Sequence, residues 1–230
     1  AAIDWGDVMF SEVNVIDGRM LHMGWVSRAD CLTAPREITY DAKFAQLLSN
    51  PISELFSLRE ATLGRPTTLP TQLAQGQSFT IFEKQGATAL DVELNLTLTR
   101  APLAVSVAFL GSEAPTNAGC GTNAYCIAIN VTKNAQRDVL EFDYLITIVG
   151  GAGKTKASFV LPHSATELAV RALVDRSILE VFVGNGRVAI TTSVGTPPSS
   201  MRGAYVTAHT AATVAGTSAW EMGCGWAQYP

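Results

Sequence analysis

The chain has 230 residues, of which 47% are hydrophobic and 16% are charged, a balance typical of a globular protein with a sizeable core. Its 16 basic and 20 acidic residues are mixed along the chain and give a formal net charge of -4, so composition disfavours nucleic-acid binding. No run of about 18 apolar residues occurs, so we expect no membrane span.

The first 60 residues carry about three strand signals, at 8–10 with 13–16, at 20–26 and at 38–40. So short a stretch of strands cannot easily bury a core on its own, and it predicts one incomplete sheet that needs partners. The chain begins Ala1-Ala2-Ile3-Asp4, without an initiator methionine or a signal peptide, so we expect a processed end or the start of a fragment.

Helical patterning is scarce, and the best candidate helix covers residues 50–59. Pro51 suits the first helical position after an Asn cap. Four side chains of the segment would share one helical face, those of Ile52, Leu55, Phe56 and Arg59.

A Pro/Thr-rich stretch without a pattern follows at 64–72, as expected of a linker. We therefore divide the chain into an incomplete unit at 1–60, a linker at 61–75 and a domain at 76–230.

Strand signals dominate the rest of the chain. They lie at 79–82, 90–98, 104–109, 126–131 and 157–161. In the second of these, the residues at period two are all apolar and predict a half-buried strand: Leu90, Val92, Leu94, Leu96 and Leu98. Many short strands with turn residues between them predict a sandwich, a barrel or propeller blades.

Residues 150–155, Gly-Gly-Ala-Gly-Lys-Thr, are similar to the end of a phosphate-binding loop. That motif needs a glycine where Ile148 stands and a helix where 157–161 predict a strand, so a glycine-rich hairpin turn is favoured.

The most informative segment is residues 173–192, where two apolar runs flank Gly184-Asn185-Gly186. This pattern predicts a β-hairpin. Asp175 and Glu180 are interpreted as lying on one arm of it and pointing to opposite faces, as hairpin or interface residues.

Four cysteines and two sequons favour an oxidising, secretory compartment. Cys120 and Cys126 bracket a flexible loop that a disulfide could close, which leaves Cys31 and Cys224 to pair with each other or with another chain. Four free buried thiols are the alternative. The sequons begin at Asn95 and Asn130 and predict N-glycosylation at both.

The hairpin closely resembles a signature of the C-terminal β-sandwich of glycoside hydrolase family 32, the invertases, levanases and fructan hydrolases. Three early segments resemble consecutive elements at the end of that family's five-bladed propeller: Asp4 to Ser11, which begins Asp-Trp-Gly, Gly18 to Val26 with Gly24-Trp25, and Ala34 to Asp41 with Pro35-Arg36-Glu37. Residues 51–59 resemble the exit from the propeller, and residues 219–226 resemble the closing strand of the sandwich.

The resemblance also implies what is missing. The family's nucleophile, transition-state-stabilising and acid/base carboxylates lie in motifs that do not occur here, and retaining glycoside hydrolysis needs two carboxyl groups about 5–5.5 Å apart. We therefore assign no catalytic residue to this chain.

One sugar contact is implied by the resemblance. Asp4 matches a carboxylate that contacts sugar hydroxyls at the propeller mouth, and Trp5 is a candidate rim contact. A solvated strand-end carboxylate is the alternative for Asp4. Plant invertases have a Lys three positions later where this chain has Asp7. Trp25 and Trp220 are interpreted as core residues.

We therefore expect an all-β chain, a partial five-bladed β-propeller sheet followed by a β-sandwich. It would be the C-terminal chain or fragment of a secreted or vacuolar β-fructofuranosidase-like glycoside hydrolase acting on sucrose or fructans. Its partners would be the N-terminal catalytic chain of the same precursor and a fructose-containing carbohydrate. No metal or cofactor is implied. A non-catalytic, lectin-like sugar-binding protein derived from such an enzyme is the alternative, and an inactive pseudo-enzyme is a third reading.

Overall fold

The structure, a computed structural model, describes residues 3–4, 6–26, 29–64, 70–98, 102–111, 114, 125–134, 139–147, 155–162, 164–193 and 203–223. Residues 125, 132–134, 139–147, 155–158 and 162 are described by their backbone only. The described ranges form antiparallel strands in three sheets and one 3-10 helix. Within them, no helix combines the length and the apolar character that crossing a membrane requires.

The first sheet is formed by the first 51 residues. Its strands are β1 Val8–Ile16, β2 Arg19–Val26, β3 Cys31–Leu32, β4 Arg36–Asp41 and β5 Gln46–Pro51. The order is β1-β2-β4-β5, and β3 pairs with β2. Asp17 and Gly18 join β1 to β2 with φ angles of 51° and 77°, the left-handed pair that a two-residue hairpin loop requires. The strands predicted in this part of the chain therefore form one sheet, and its being incomplete stays a prediction.

The second sheet has six strands in the order β13-β12-β11-β10-β17-β8. They are β8 Ser78–Glu83, β10 Leu103–Gly111, β11 Tyr125–Asn134, β12 Val139–Thr147, β13 Thr155–Pro162 and β17 Gly203–Ala208. The strand predicted at 157–161 is confirmed as β13, which pairs antiparallel with β12. A strand therefore stands where a phosphate-binding loop would need a helix.

The third sheet has seven strands in the order β16-β15-β14-β9-β18-β6, with β7 paired to β18. They are β6 Arg59–Thr62, β7 Thr71–Leu73, β9 Ala89–Thr97, β14 Glu167–Asp175, β15 Ile178–Val183, β16 Val188–Ser193 and β18 Ala212–Met222. The hairpin predicted around residues 184–186 is confirmed as β15 and β16, which pair from Val183 with Val188 onward.

The second and third sheets pack face to face around a continuous apolar core, the β-sandwich. β9 shows why the sequence folds in this way. Its apolar residues at period two all enter the core, Leu90, Val92, Leu94 and Leu96 with at most 1% exposure, while Asn95 between them is exposed.

The structure departs from the predicted boundaries around residue 60. Part of the predicted linker is strand, because β7 pairs with β18, and β6 pairs with the far end of the same strand. The helix predicted at 50–59 is a 3-10 helix, Ser53–Leu58, with no side-chain cap and no buried residue. Pro51 is instead the last residue of β5, and the side-chain amide of Asn50 before it donates a hydrogen bond to the carbonyl of Asn185 in the sandwich.

The interpretation of two tryptophans as core residues is wrong. Trp25 is 37% exposed on the side of the first sheet that faces away from the sandwich. Trp220 is half-buried on the outer face of the third sheet and stacks on the guanidinium group of Arg59, 3.5 Å from the ring centre. Both strands alternate, but their large aromatic residues fall on the sides away from the sandwich core.

Candidate functional site at the junction of the first sheet and the sandwich

The signature hairpin is the part of the sandwich that contacts the first sheet. β16 packs against β2 and β5. The turn between β15 and β16 needs left-handed backbone at three successive residues, Gly184, Asn185 and Gly186, with φ of 62°, 57° and 77°. A Cβ atom on Gly186 would lie 2.6 Å from the Asn50 side-chain amide, so Asn50 would have to move to accept any other residue here. The hairpin is therefore an inter-sheet connector.

Arg36 lies at the centre of this junction and is fully buried. It enters from β4, and its guanidinium group binds carboxylates from two distant parts of the chain. Nη1 donates to Asp4 Oδ2 at 2.6 Å, and Nη2 donates to Glu180 and to the hydroxyl of Thr191. The guanidinium group also lies over the ring of Phe182, 5.0 Å from its centre. One side chain therefore joins the N-terminal segment, the first sheet and the hairpin.

Glu180 is the residue of the sandwich that forms an ion pair with Arg36. Its carboxylate also accepts a hydrogen bond from the backbone N–H of Ala34, at 2.7 Å. The interpretation of Glu180 as an interface residue agrees with this position. Asp175 differs from the prediction, because it ends β14 whereas Glu180 lies in β15. The two residues are on opposite arms of a second hairpin, which turns at 176–177.

Asp4, the predicted sugar contact, has both carboxylate oxygens occupied and a side chain only 5% exposed. Oδ1 accepts from the N–H of Gly6 at 2.6 Å and from that of Thr191 at 3.2 Å. Oδ2 accepts from Arg36 and, at 2.7 Å, from the Thr191 hydroxyl. A sugar hydroxyl could reach Asp4 only by replacing one of these bonds. The sugar contact of Asp4 stays a prediction. In the observed geometry, Asp4 connects the N-terminal segment to β4 and β16.

Asp7, at the position where the resemblance to plant invertases implies a Lys, binds the same strand of the sandwich. Its backbone N–H donates to the carbonyl of Thr191 at 2.7 Å. Its carboxylate accepts from the Thr192 hydroxyl at 3.1 Å. An acidic residue fits here because the groups that face it are hydrogen-bond donors.

The tip of the hairpin adds a second set of contacts to β5. Arg187 donates to Gln46 Oε1 at 2.8 Å and forms an ion pair with Asp41. The N–H of Ser49 donates to the carbonyl of Gly186 at 2.8 Å, and the Asn50 amide donates to the carbonyl of Asn185 at 3.1 Å.

The electrostatics of the Arg36 cluster favour a structural role. Burial opposes the charged form of Arg36, but the carboxylates of Glu180 and Asp4 outweigh it and raise the pKa of the guanidinium group. The two carboxylates of the cluster, those of Asp4 and Glu180, both accept hydrogen bonds from Arg36. No free nucleophile and proton donor face each other among the residues of this junction that the structure describes, so the arrangement fastens two parts of a protein together.

Two titratable residues of the junction have a buried side-chain nitrogen without a hydrogen-bond partner among the described residues, His22 at Nδ1 and Arg36 at Nε. His22 is 1% exposed in β2 beside Arg36. Burial lowers its pKa, Arg36 lowers it further, and Asp4 partly opposes the shift. The folded chain therefore favours the neutral imidazole.

We expect acid to weaken the fold through His22. The unfolded chain binds a proton near the ordinary pKa of about 6.5, and the folded chain does so only at lower pH, so stability falls as pH drops below about 6.5. One such group contributes at most about 1.4 kcal/mol per pH unit. His22→Gln should flatten this fall, measured as the urea midpoint from pH 7 to pH 5. Burial also lowers the pKa of His209, so the same measurement on His209→Gln gives the share of the fall that this second histidine causes. Equal pH slopes for His22→Gln and the parent chain would refute this role.

A second buried charge cluster lies on the outer face of the third sheet. Asp91 is fully buried and accepts from Arg59 at 2.7 Å and from Arg171 at 2.8 and 2.9 Å. Both guanidinium groups also lie over the ring of Phe56 in the 3-10 helix. Arg59 follows that helix directly, so this cluster holds the exit from the first sheet against the sandwich.

Two of the four cysteines, Cys31 and Cys126, lie among the described residues. Cys31 is a free, half-buried thiol, so no disulfide joins it in the structure. It borders a cavity of about 740 Å³ between β3, the 3-10 helix and the turn after β14. Cys126 is buried in β11 and disulfide-bonded, whereas Cys120 and Cys224 lie outside the described residues. The pairings therefore stay predictions.

Trp5 also lies outside the described residues. Asn95 and Asn130 are both exposed, on β9 and β11, as glycan acceptors must be. Across the described ranges, no three His, Cys, Asp or Glu side chains are grouped as a metal site would require. Sequence analysis missed Arg36 and Thr191 as partners of Asp4, because they lie 32 and 187 residues away.

The described residues thus form a two-sheet β-sandwich and a separate antiparallel sheet before it, which the hairpin contacts. Residues 54–221 match the C-terminal domain of glycosyl hydrolases family 32, and the chain belongs to this family. No curated protein sequence matches the chain.

Solved structures support the same fold. Fructan 1-exohydrolase IIa from Cichorium intybus superposes with a TM-score of 0.74 at 17% identity, over 97% of this chain and 49% of that one. Exo-inulinase from Aspergillus awamori gives 0.67 at 16% identity, over 97% and 45%. Sucrose-6-phosphate hydrolase from Lactobacillus gasseri gives 0.61 at 17% identity, over 96% and 42%. The chain therefore spans about half the length of these proteins.

Proposed function

We propose that this chain is the C-terminal part of a secreted β-fructofuranosidase-like glycoside hydrolase that acts on sucrose or fructans. It completes and stabilises a propeller whose catalytic carboxylates lie on an N-terminal polypeptide. The family membership supports the class of enzyme. The secreted location, the substrates and the catalytic partner are inferences.

The observation that carries the proposal is the exposure of apolar side chains on both faces of the first sheet. Away from the sandwich these are Phe10, Ile16, Met23, Trp25 and Leu32, between 37% and 72% exposed. On the other face, beyond the reach of the hairpin, they are Val13, Val15, Met20 and Tyr40, between 44% and 70% exposed. A sheet that is apolar on both sides is built to be covered on both sides, as a propeller blade is by its neighbours.

The free edge of the sheet supports the same inference. Among the strands that the structure describes, β1 pairs with β2 alone, and nearly all its residues are exposed. A nine-residue apolar edge strand invites further pairing or aggregation unless another segment covers it. The N-terminal polypeptide of the same precursor is the occupant that we propose, because the solved relatives are about twice as long as this chain.

The test is the intact mass of material from the natural source, under native and then denaturing, non-reducing conditions. We expect a co-purifying polypeptide of propeller size and release of fructose from sucrose, inulin or levan. A lone 24.4 kDa species would contradict the proposal and favour the lectin-like alternative. A complex that lacks hydrolase activity would instead indicate an inactive relative.

Two variants test whether the N-terminal polypeptide covers the apolar face of the first sheet that looks away from the sandwich. Phe10→Glu places a charge in the apolar face that looks away from the sandwich and should reduce recovery of the N-terminal polypeptide in co-purification. Ser164→Glu introduces the same charge on an exposed turn of the sandwich and should leave recovery unchanged. Equal recovery with both variants would show that this face is not covered by that polypeptide.

A further inference from the structure

The two sequon asparagines have different surroundings, although both are exposed. Leu94 and Leu96 beside Asn95 enter the core, so Asn95 faces outward from the third sheet. Ile129 and Val131 flank Asn130 in the same way on the second sheet. The two asparagines therefore lie on opposite outer faces of the sandwich.

Asn95 borders a groove between the sandwich and the first sheet, with a volume of about 280 Å³. Asn50 and Pro51 at the end of β5 form one wall, and Asn185 and Gly186 at the tip of the signature hairpin form another. Asn130 is not among the residues that border this groove. The groove therefore lies where the end of β5 meets the tip of the signature hairpin.

Space for a substituent on Asn95 comes from its two cross-strand neighbours. It is paired with Ala169 of β14 on one side and with Gly216 of β18 on the other. Directly opposed side chains share a face, so two of the smallest residues flank the Asn95 amide. Glu93 and Arg171, which also border the groove, are ion-paired with Arg59 and Asp91 and make this part of its wall polar, as sugar hydroxyls require.

We propose that Asn95 carries an N-linked glycan whose first sugars lie in this groove and join the first sheet to the sandwich. In the transfer, the amide nitrogen of Asn95 bonds to the anomeric carbon of a diphosphate-linked oligosaccharide donor. The bond from that carbon to the diphosphate oxygen breaks, the diphosphate leaves with the electron pair, and the amide loses one proton. The inference depends on the secretory location in the proposed function and goes beyond it by giving the glycan a place and a role.

The experiment uses the full-length gene product, secreted from a eukaryotic host, with three variants. Asn95→Gln and Asn130→Gln each remove one sequon, and Thr97→Ser keeps the sequon of Asn95 while changing the same strand. Glycopeptide mass spectrometry measures occupancy. Release by peptide N-glycosidase F, with and without prior denaturation, measures access to each glycan, and the melting temperature measures the contribution to stability.

We expect the Asn95 glycan to be present and to be released roughly tenfold more slowly from the native protein than from the denatured one, because the groove must open first. Asn95→Gln should lower the melting temperature by about 2–4 °C, which corresponds to about 1 kcal/mol, and Thr97→Ser and Asn130→Gln should leave it unchanged.

Three outcomes would overturn the inference, and they separate it from the proposed function. An unmodified Asn95 beside a modified Asn130 would refute this inference alone. Two unmodified asparagines in material from the natural source would refute this inference and would remove the support that the sequons give to secretion. A modified Asn95 that is released at the same rate in the native and denatured proteins, with an unchanged melting temperature for Asn95→Gln, would refute the placement of the sugars in the groove.

Discussion

Arg36→Met is expected to lower the free energy of unfolding by about 3–5 kcal/mol, the range for removing one partner of a buried ion pair. Arg36 is fully buried, and the side chains of Asp4 and Glu180 are only 5% and 6% exposed. Without the guanidinium group, two carboxylates would remain in the junction with no positive charge beside them. Thermal unfolding of the purified chain, followed by tryptophan fluorescence, should show a fall in melting temperature of roughly 10 °C.

Two controls make this expectation specific. Arg19→Met removes an arginine of the same sheet whose side chain is 31% exposed and pairs with Glu37 and Glu54 near the solvent, so it should cost far less than Arg36→Met. The triple replacement Asp4→Leu, Arg36→Met and Glu180→Leu should cost less than Arg36→Met alone, because no buried charge is left unpaired. Equal losses for Arg36→Met and Arg19→Met would show that the cluster does not hold the junction.

Asp91→Asn is expected to cost about 3 kcal/mol, the lower end of the range for a broken buried pair. The substitution keeps the shape of the side chain but removes the charge that two arginines share. The loss should stay at the lower end because Arg59 and Arg171 are 15% and 16% exposed and Glu93 still pairs with Arg59. The free energy of unfolding in urea measures it.

The matched control is Glu221→Gln, which removes a carboxylate from the same sheet. Glu221 pairs with Lys84 at the surface, and these side chains are 31% and 42% exposed, so the loss should remain below about 1 kcal/mol. If Asp91→Asn cost no more than Glu221→Gln, the Asp91 cluster would have no special role in holding the exit from the first sheet.

Much of the fold was predictable because its signals are local. The alternation of apolar residues over 90–98 defines both the strand β9 and its core face, since successive side chains of a strand point to opposite sides. Gly184-Asn185-Gly186 predicts the β15–β16 turn, because few other residues adopt left-handed backbone at low cost. The 3-10 helix was predicted as a longer helix, because the same spacing of apolar residues suits both within so short a segment.

The candidate site was predicted far less well. The sequence motif containing Asp4 indicates a carboxylate of interest, but its partners lie in β4 and β16, which only the packing of the hairpin against β2 and β5 brings together. β6 and β7 show the same limit, since their short, weakly patterned segments become strands only because the two ends of β18 offer them free backbone groups.

By itself, the sequence determined the all-β class, the early strands of the first sheet and the signature hairpin, because these follow from alternation and turn chemistry within a few residues of chain. Tertiary structure alone decided that Asp4 is saturated by donors, that Arg36 links the first sheet to Glu180 across 144 residues, and that Asn95 borders the groove between them. The physical reason is that buried ion pairs and grooves form only where the first sheet packs on the sandwich. That packing depends on residues far apart in the chain, which no local sequence pattern predicts.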